Sequence, residues 1–360
     1  MKGLTVGLIT TWNARCGVSE YSRDLATVLR AAGCQVIVLA SYPVQPVPWA
    51  TDDALVHRFF YTGWHRERGV DPGTALTAVK NHRIDVLHLQ YQSFIYAPPF
   101  LEHLPRLAQA APLVVTFHDP CIPPEFPLTS VRRSIVHNRV LAEMIRSVPV
   151  HVIPPGCHLR ADQPARAVRT RLGLPGNPVL TSFGLGRTAH ETVLEALAYL
   201  LDAYPHLTYA IAAPPARMPP VYEAARRLGL ESHLVYAGDF LPPDALFDLL
   251  QAGDVVVLYY PEFGVRGVSS AGARLALAAH RPVVLTDVLL FHDLPAELKV
   301  PFGDLGALEE RLRMLLSLDG EALRMIELQD GLVRENAWPT VARRHIDVYR
   351  AAIGTRAGTA

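Results

Sequence analysis

The chain has 360 residues, 50% of them hydrophobic and 19% charged, with 34 basic and 34 acidic side chains. That length suits about two domains of ordinary size, and so much apolar material excludes a disordered chain. A formal charge of zero, with no basic stripe, argues against a nucleic-acid partner.

Leu4-Thr5-Val6-Gly7-Leu8-Ile9 opens the chain as a run of buried-strand type. It is too short for a secretory signal core, and Thr10-Thr11-Trp12-Asn13 offers no small-residue cleavage site. No apolar run approaches the ~20 residues of a membrane span. After a loop ending at Gly17, the residues Val18, Tyr21, Leu25, Val28, Leu29 and Ala32 recur at helical spacing, and Gly33 stops the helix. Gln35 to Leu39 is the next strand, and a β-loop-α-β unit of this length demands parallel pairing. Tyr42 to Trp49 is a proline-rich loop. Ile84 to Leu89 and Leu113 to Thr116 continue the sheet, with His151-Val152-Ile153 as its last strand. Pro154-Pro155-Gly156 breaks the pattern, and the aperiodic stretch from Cys157 to Asn177 is assigned as the domain linker.

The second half restarts with Val179 to Phe183, followed by a helix carrying Val193, Leu194, Leu197, Leu200 and Leu201. Strands at Tyr209 to Ala212, Leu234 to Ala237, Val255 to Tyr259 and Pro282 to Thr286 alternate with helical segments. The tail is helical: Leu305 to Leu316, Glu321 to Arg334, and a last helix from Trp338 to about Ala352. The implied fold class is α/β, two doubly wound parallel-sheet halves in series. Gly184-Leu185-Gly186-Arg187 and Tyr259-Tyr260-Pro261-Glu262 each follow a strand and precede a helix, the pattern that presents a phosphate-bearing ligand at the carboxyl ends of strands. Cys16, Cys34, Cys121 and Cys157 form no CxxC pair and no zinc spacing, which suits free thiols in a reducing, cytoplasmic compartment.

With these motifs in place, the chain resembles a glycosyltransferase of the GT-B fold, specifically the retaining family 4. Cys16-Gly17-Val18-Ser19-Glu20-Tyr21 is similar to that family's N-terminal glycine loop. Asp85-Val86-Leu87-His88-Leu89-Gln90-Tyr91 and Thr116-Phe117-His118-Asp119 resemble two of its strand ends. Val152-Ile153-Pro154-Pro155-Gly156 resembles its interdomain junction, Ser182-Phe183-Gly184 the approach to its diphosphate loop, and Leu277 to Val284 its "LAxGxPVV" segment. Trp338 to Tyr349 resembles the terminal helix that crosses back to the first domain. The resemblance implies two Rossmann-like domains facing a cleft, residues 1–160 plus 338–360 on the acceptor side and 161–337 on the donor side.

It also implies roles. Arg187 offers a planar fork to the donor diphosphate, Gly184 and Gly186 admit the phosphates closely, and Gly17 does so from the first domain. Ser269 and Ser270 bring the start of a helix to the same place. His118 meets a sugar hydroxyl through its ring or the acceptor through its carbonyl, and Glu262 grips donor hydroxyls beside Tyr260. His88, Gln90 and Tyr91 face the acceptor. The resemblance implies a sugar nucleotide as donor, an acceptor hydroxyl of unspecified chemistry, retention of configuration and no resident cofactor. No DxD-like pair is placed for a metal, since Asp52-Asp53 lies in a polar loop, and metal independence is expected.

The departures are specific. Aligned on Arg281-Pro282, the family's two glutamates separated by seven residues fall at Gly267 and Leu275, while Glu262 has Ser270 eight residues on. Glu223 and Glu231 have the spacing but lie on a helix and a turn. The lysine that partners the family's arginine is Ala189 or His190 here, with Arg266 as a substitute. Forgoing three charged hydrogen bonds to the donor, at roughly 1.5–3 kcal/mol each, would cost at least about 4.5 kcal/mol, on the order of a thousandfold. Two alternatives follow: a catalytically degenerate protein that binds a nucleotide or sugar, and a nucleotide-sugar 2-epimerase. A dinucleotide oxidoreductase is disfavoured, because no GxGxxG follows Ile9. Trp64-His65-Arg66-Glu67-Arg68 and Arg132-Arg133 could form a basic, aromatic patch for peripheral membrane contact, with solvated loops as the simpler account.

Overall fold

A computed structural model describes residues 3–175, 177–186, 188–261, 266–317 and 320–354. The chain divides into two compact units. The first comprises Met1–Gly156, Val265–Ser269 and Asn336–Ala360, and the second Cys157–Gly264 and Ser270–Glu335.

In the first unit the order is β1 (Thr5–Thr10), α1 (Gly17–Ala31), β2 (Gln35–Ser41), β3 (Val56–Phe60), α2 (Pro72–His82), β4 (Val86–Tyr91), α3 (Pro98–Leu101), α4 (Leu104–Ala110), β5 (Leu113–Phe117), β6 (Val131–Val136), α5 (Arg139–Met144) and β7 (Val150–Val152). The seven strands pair in parallel in the order β3-β2-β1-β4-β5-β6-β7. Successive side chains point to opposite faces, so β2 sends Ile37 and Leu39 into one core and Val36, Val38 and Ala40 into another. Both faces are covered, which is why these strands read as unbroken apolar runs.

The second unit runs α6 (Ala165–Leu172), β8 (Val179–Phe183), α7 (His190–Leu200), β9 (Thr208–Ala212), α8 (Met218–Leu228), β10 (Leu234–Gly238), α9 (Pro243–Ala252), β11 (Val255–Leu258), α10 (Ala271–Leu277), β12 (Val283–Thr286), β13 (Lys299–Val300), α11 (Leu305–Leu316) and α12 (Gly320–Glu335). Its sheet is also parallel, in the order β10-β9-β8-β11-β12-β13. The final helix, α13 (Trp338–Gly354), belongs to the first unit. There Trp338, Val341, Ala342, Ile346 and Tyr349 share a core with Tyr21, Leu25 and Leu29 of α1.

Several elements depart from the sequence reading, among them β3, β6 and α6. Strands β3 and β6 escaped it because charged residues interrupt their apolar runs: His57 and Arg58 in β3, Arg132 and Arg133 in β6. Arg132-Arg133 is thus part of a strand rather than a loop. The stretch assigned as linker contains α6, a helix of eight residues of which only Val168 and Arg169 are buried. Ionic contacts tie this segment to the second unit: Arg169 pairs with Asp254, Arg171 with Asp248 at 2.8 Å and Arg281 with Asp162 at 2.7 Å.

Candidate functional site

In a doubly wound sheet, ligands bind beyond the carboxyl ends of the strands, where the strand order reverses. In the second unit that switch lies between β8 and β11, which are paired neighbours. Phe183 ends β8 and leads into Gly184-Leu185-Gly186, while β11 leads into Tyr259-Tyr260. The Tyr260 ring lies against both glycines. A Cβ on Gly184 would overlap the Tyr260 hydroxyl, and one on Gly186 would come within 3.3 Å of its ring. Glycine is therefore needed twice for one close approach. Burial pushes the Tyr260 phenol up, with a smaller opposing effect from Thr188.

Backbone contacts hold this edge together. Gly184 N–H donates to the Ala212 carbonyl at 3.1 Å, Ala189 N–H to the Tyr259 carbonyl at 2.8 Å, and Tyr260 N–H to Thr286 Oγ1 at 2.7 Å. The ends of β8, β9, β11 and β12 are thereby joined. Ser270 caps α10, its Oγ accepting from Ala273 N–H at 3.1 Å, and Gly272 in the first turn sits beside the Phe183 ring. Arg187 and Glu262 lie outside the described residues.

Two donor-side assignments need correction. His190 starts α7 but is 3% exposed, with Nδ1 2.8 Å from the Tyr209 hydroxyl. Burial pushes its imidazole down to about 4, so it is uncharged near neutral pH and supplies no cation to a diphosphate. Ser269 is not a helix cap. Within the first unit, Asn138 Nδ2 donates to Ser269 Oγ at 2.9 Å and to the Gly267 carbonyl at 2.7 Å, beside the exposed Arg266.

The strand order of the first unit reverses between β1 and β4. Gly17 opens α1 there, exposed and with nothing within 4 Å of an added Cβ, so the head of a 15-residue helix is open to an anion. The residues expected on the acceptor side behave differently, since His88, Gln90 and Tyr91 are all 0% exposed. His88 Nε2 lies 2.7 Å from Thr116 Oγ1 and its Nδ1 2.7 Å from the Tyr349 hydroxyl. Tyr91 donates to the Cys121 carbonyl at 3.1 Å and packs on Tyr96, Phe117 and Phe126. Both faces of β4 are covered, so its polar residues are interior groups with interior partners. They do not line an acceptor surface.

His118 is half-buried, and both its ring nitrogens are engaged inside the first unit. His137 Nδ1–H donates to the Ile153 carbonyl at 3.0 Å, which leaves its Nε2 to accept from His118 Nδ1–H at 3.1 Å. Gln90 Oε1 lies 2.9 Å from His118 Nε2; with the Gln90 amide turned over, its NH2 donates to that nitrogen. On α13, His345 Nδ1–H donates to the Val341 carbonyl at 2.8 Å and its Nε2 faces the Tyr21 hydroxyl at 3.4 Å. Burial is the main cause that holds His88 and His118 well below the usual imidazole range and His345 at about 4. The network joins β4, β5, α1 and α13, with His88, His118 and His345 favoured as neutral rings. A sugar hydroxyl could reach a nitrogen of His118 only by displacing one of these bonds; its backbone carbonyl involves no such exchange. The sequence reading does not single out His137, His345 or Tyr349 as polar partners of these strands. The i, i+4 spacing of Val341, His345 and Tyr349 on one helix face was the available signal.

Residues 16–153 match the family described as a glycosyl transferase 4-like domain. Among curated proteins none matches this chain. Of the solved structures, sucrose-phosphate synthase from Thermosynechococcus elongatus is similar at 18% identity and a TM-score of 0.70, over 98% of this chain and 99% of that one. The chain has the GT-B fold. A glycosyltransferase from Rickettsia africae resembles this GT-B chain at 12% identity and a TM-score of 0.72, over 99% of this chain and 100% of the other. HepE of Anabaena, solved with UDP and glucose, does so at 14% identity and a TM-score of 0.69, over 97% and 100%. Among the described residues of the GT-B chain, no group of three or more His, Cys, Asp or Glu could hold a metal ion, and no helix is long and apolar enough to cross a membrane.

Proposed function

We propose that this chain is a glycosyltransferase that moves a sugar from a nucleotide diphosphate to an acceptor hydroxyl, with retention of configuration and without a metal. The observation that carries the reading is the Gly184–Gly186 loop seated on Tyr260 at the switch point of the second unit. Backbone N–H groups of such a loop meet the diphosphate, and Arg187 adds a bidentate contact to the leaving β-phosphate. The acceptor oxygen attacks the anomeric carbon on the face from which the phosphate departs. As the carbon–phosphate-oxygen bond breaks, the departing oxygen takes the acceptor proton. Glu262 holds donor hydroxyls in this scheme. The four free thiols suit a cytoplasmic site of action. HepE was solved with UDP-glucose, which places UDP-hexoses first among the donors to try.

A second reading has its own support: His190 is neutral and turned inward, and Ser270 is engaged as a helix cap. Such losses would suit a protein that binds a sugar nucleotide without turnover. Calorimetry with UDP-, GDP- and ADP-sugars, followed by a transfer assay read by NMR at the anomeric proton, separates the two. Binding with a retained product supports the enzyme, and binding without any product supports the second reading. An inverted product defeats the retaining mechanism, and no binding defeats both readings.

A further inference from the structure

Two imidazoles of the first unit meet across an element boundary, apart from the residues above. His57 lies in edge strand β3 and His82 in the last turn of α2, with their Nε2 atoms 3.0 Å apart. The ring centroids are 5.0 Å apart and the planes are inclined by 54°. Both residues are half-exposed, so the pair is reachable from solvent. Two metal–nitrogen bonds of ~2.0–2.1 Å, opening at roughly 90–109°, span about 2.9–3.4 Å. The pair already has the bite of a chelate.

We propose that His57 and His82 bind a late first-row divalent metal ion, Cu(II) foremost, which clips the edge strand to the end of α2. Imidazole nitrogen suits copper, nickel and zinc, and copper heads the affinity order. Ligation needs neutral rings. Partial burial, and then the charge of His82, hold His57 below the ordinary imidazole value. The flanking charged groups are Lys80 and Arg83 at the end of α2 and Arg58 in β3, the last held by Asp52 at 2.7 and 2.8 Å. No carboxylate is part of the pair, so water completes the coordination. Without metal, one ring donates its Nε2–H to the other. On binding, that ring shifts its proton to Nδ1, so both Nε2 lone pairs face the ion and no proton is released.

The test is titration of the tag-free full chain with copper(II) chloride near neutral pH, followed by electron paramagnetic resonance and thermal unfolding. One tight equivalent is expected, with hyperfine structure from two nitrogens and a raised melting temperature. His82→Ala and His57→Gln should each weaken that equivalent by about tenfold or more and remove the two-nitrogen pattern. Copper bound equally well by both variants, or no equivalent tighter than the background of other histidines, overturns the proposal and leaves a plain imidazole–imidazole hydrogen bond.

Discussion

Lowering the pH should destabilise the first unit before carboxylates begin to titrate. His88 and His345 are fully buried, with His345 held at about 4 and His88 also well below its ordinary value, both chiefly by burial. In the unfolded chain each returns to about 6.5. Neutral rings are favoured in the folded state, so their contribution is fully present above the unfolded value. It is lost as pH falls from about 6.5 towards about 4, because the unfolded chain takes up protons that the folded chain refuses. His345 should cost about 1 kcal/mol between pH ~7.5 and ~5.5. His88, and His118 partly open at the sheet edge, act in the same direction, so the cluster as a whole loses more than that. His57 and His151, also held down by partial burial, act in the same sense. Against a total of roughly 5–15 kcal/mol this is a measurable share. All four tryptophans, Trp12, Trp49, Trp64 and Trp338, lie in the first unit, so their fluorescence reports that unit alone. A urea melt followed by fluorescence should lose about 0.5 M or more in its midpoint over that pH interval. His345→Asn should shrink that loss by about 1 kcal/mol, whatever its effect at the higher pH. A midpoint indifferent to pH, or an acid loss undiminished in the variant, would refute the assignment of a neutral buried cluster.

Three further outcomes are expected from the second unit. Arg187→Ala should weaken nucleotide-sugar binding by about 1.5–3 kcal/mol in calorimetry; an unchanged affinity would remove this residue from the site. Gly184→Ala should abolish donor binding by driving a methyl group into the Tyr260 hydroxyl, and Tyr260→Leu in the same chain should restore part of it, a coupling read from a double-mutant cycle. If the two substitutions simply add, the loop does not rest on that ring. Ser270→Ala should cost about 1 kcal/mol of stability through loss of the cap on α10, whereas Ser270→Asp should not; equal denaturation midpoints in all three proteins would show the cap to be idle.

How far the fold could be read from the sequence depends on what holds each element. Strands such as β1 and β2 are buried on both faces, and their apolar runs announce them. Helix α11 shows its apolar stripe through Leu308, Leu312 and Leu315, and its limits were legible to the residue. Strand β3 lies at an edge and carries Arg58, whose guanidinium is spent on Asp52 and the Ser41 carbonyl. Helix α6 is anchored by Arg169 on Asp254 and on the Ala252 carbonyl. Elements held by ions rather than by apolar area leave no period for pattern reading to find.

The two candidate half-sites differ for the same reason. The glycine loop and Tyr260 were legible because their chemistry is local: small residues follow a strand, and an aromatic residue ends its neighbour. His88 looked like a site residue because a histidine inside an apolar strand ordinarily requires a reason. The reason is Tyr349, 261 positions along the chain, which α13 brings to its Nδ1. The C-terminal helix thus takes up polar groups of β4 that a strand-end motif alone assigns to substrate. Groups beyond the strand ends have no such cover, and Gly17 at the exposed head of α1 has nothing within 4 Å of an added Cβ. In a sheet covered on both faces, a polar residue within a strand reports on the helix packed over it, and only residues past the last ladder bond report on what the protein binds.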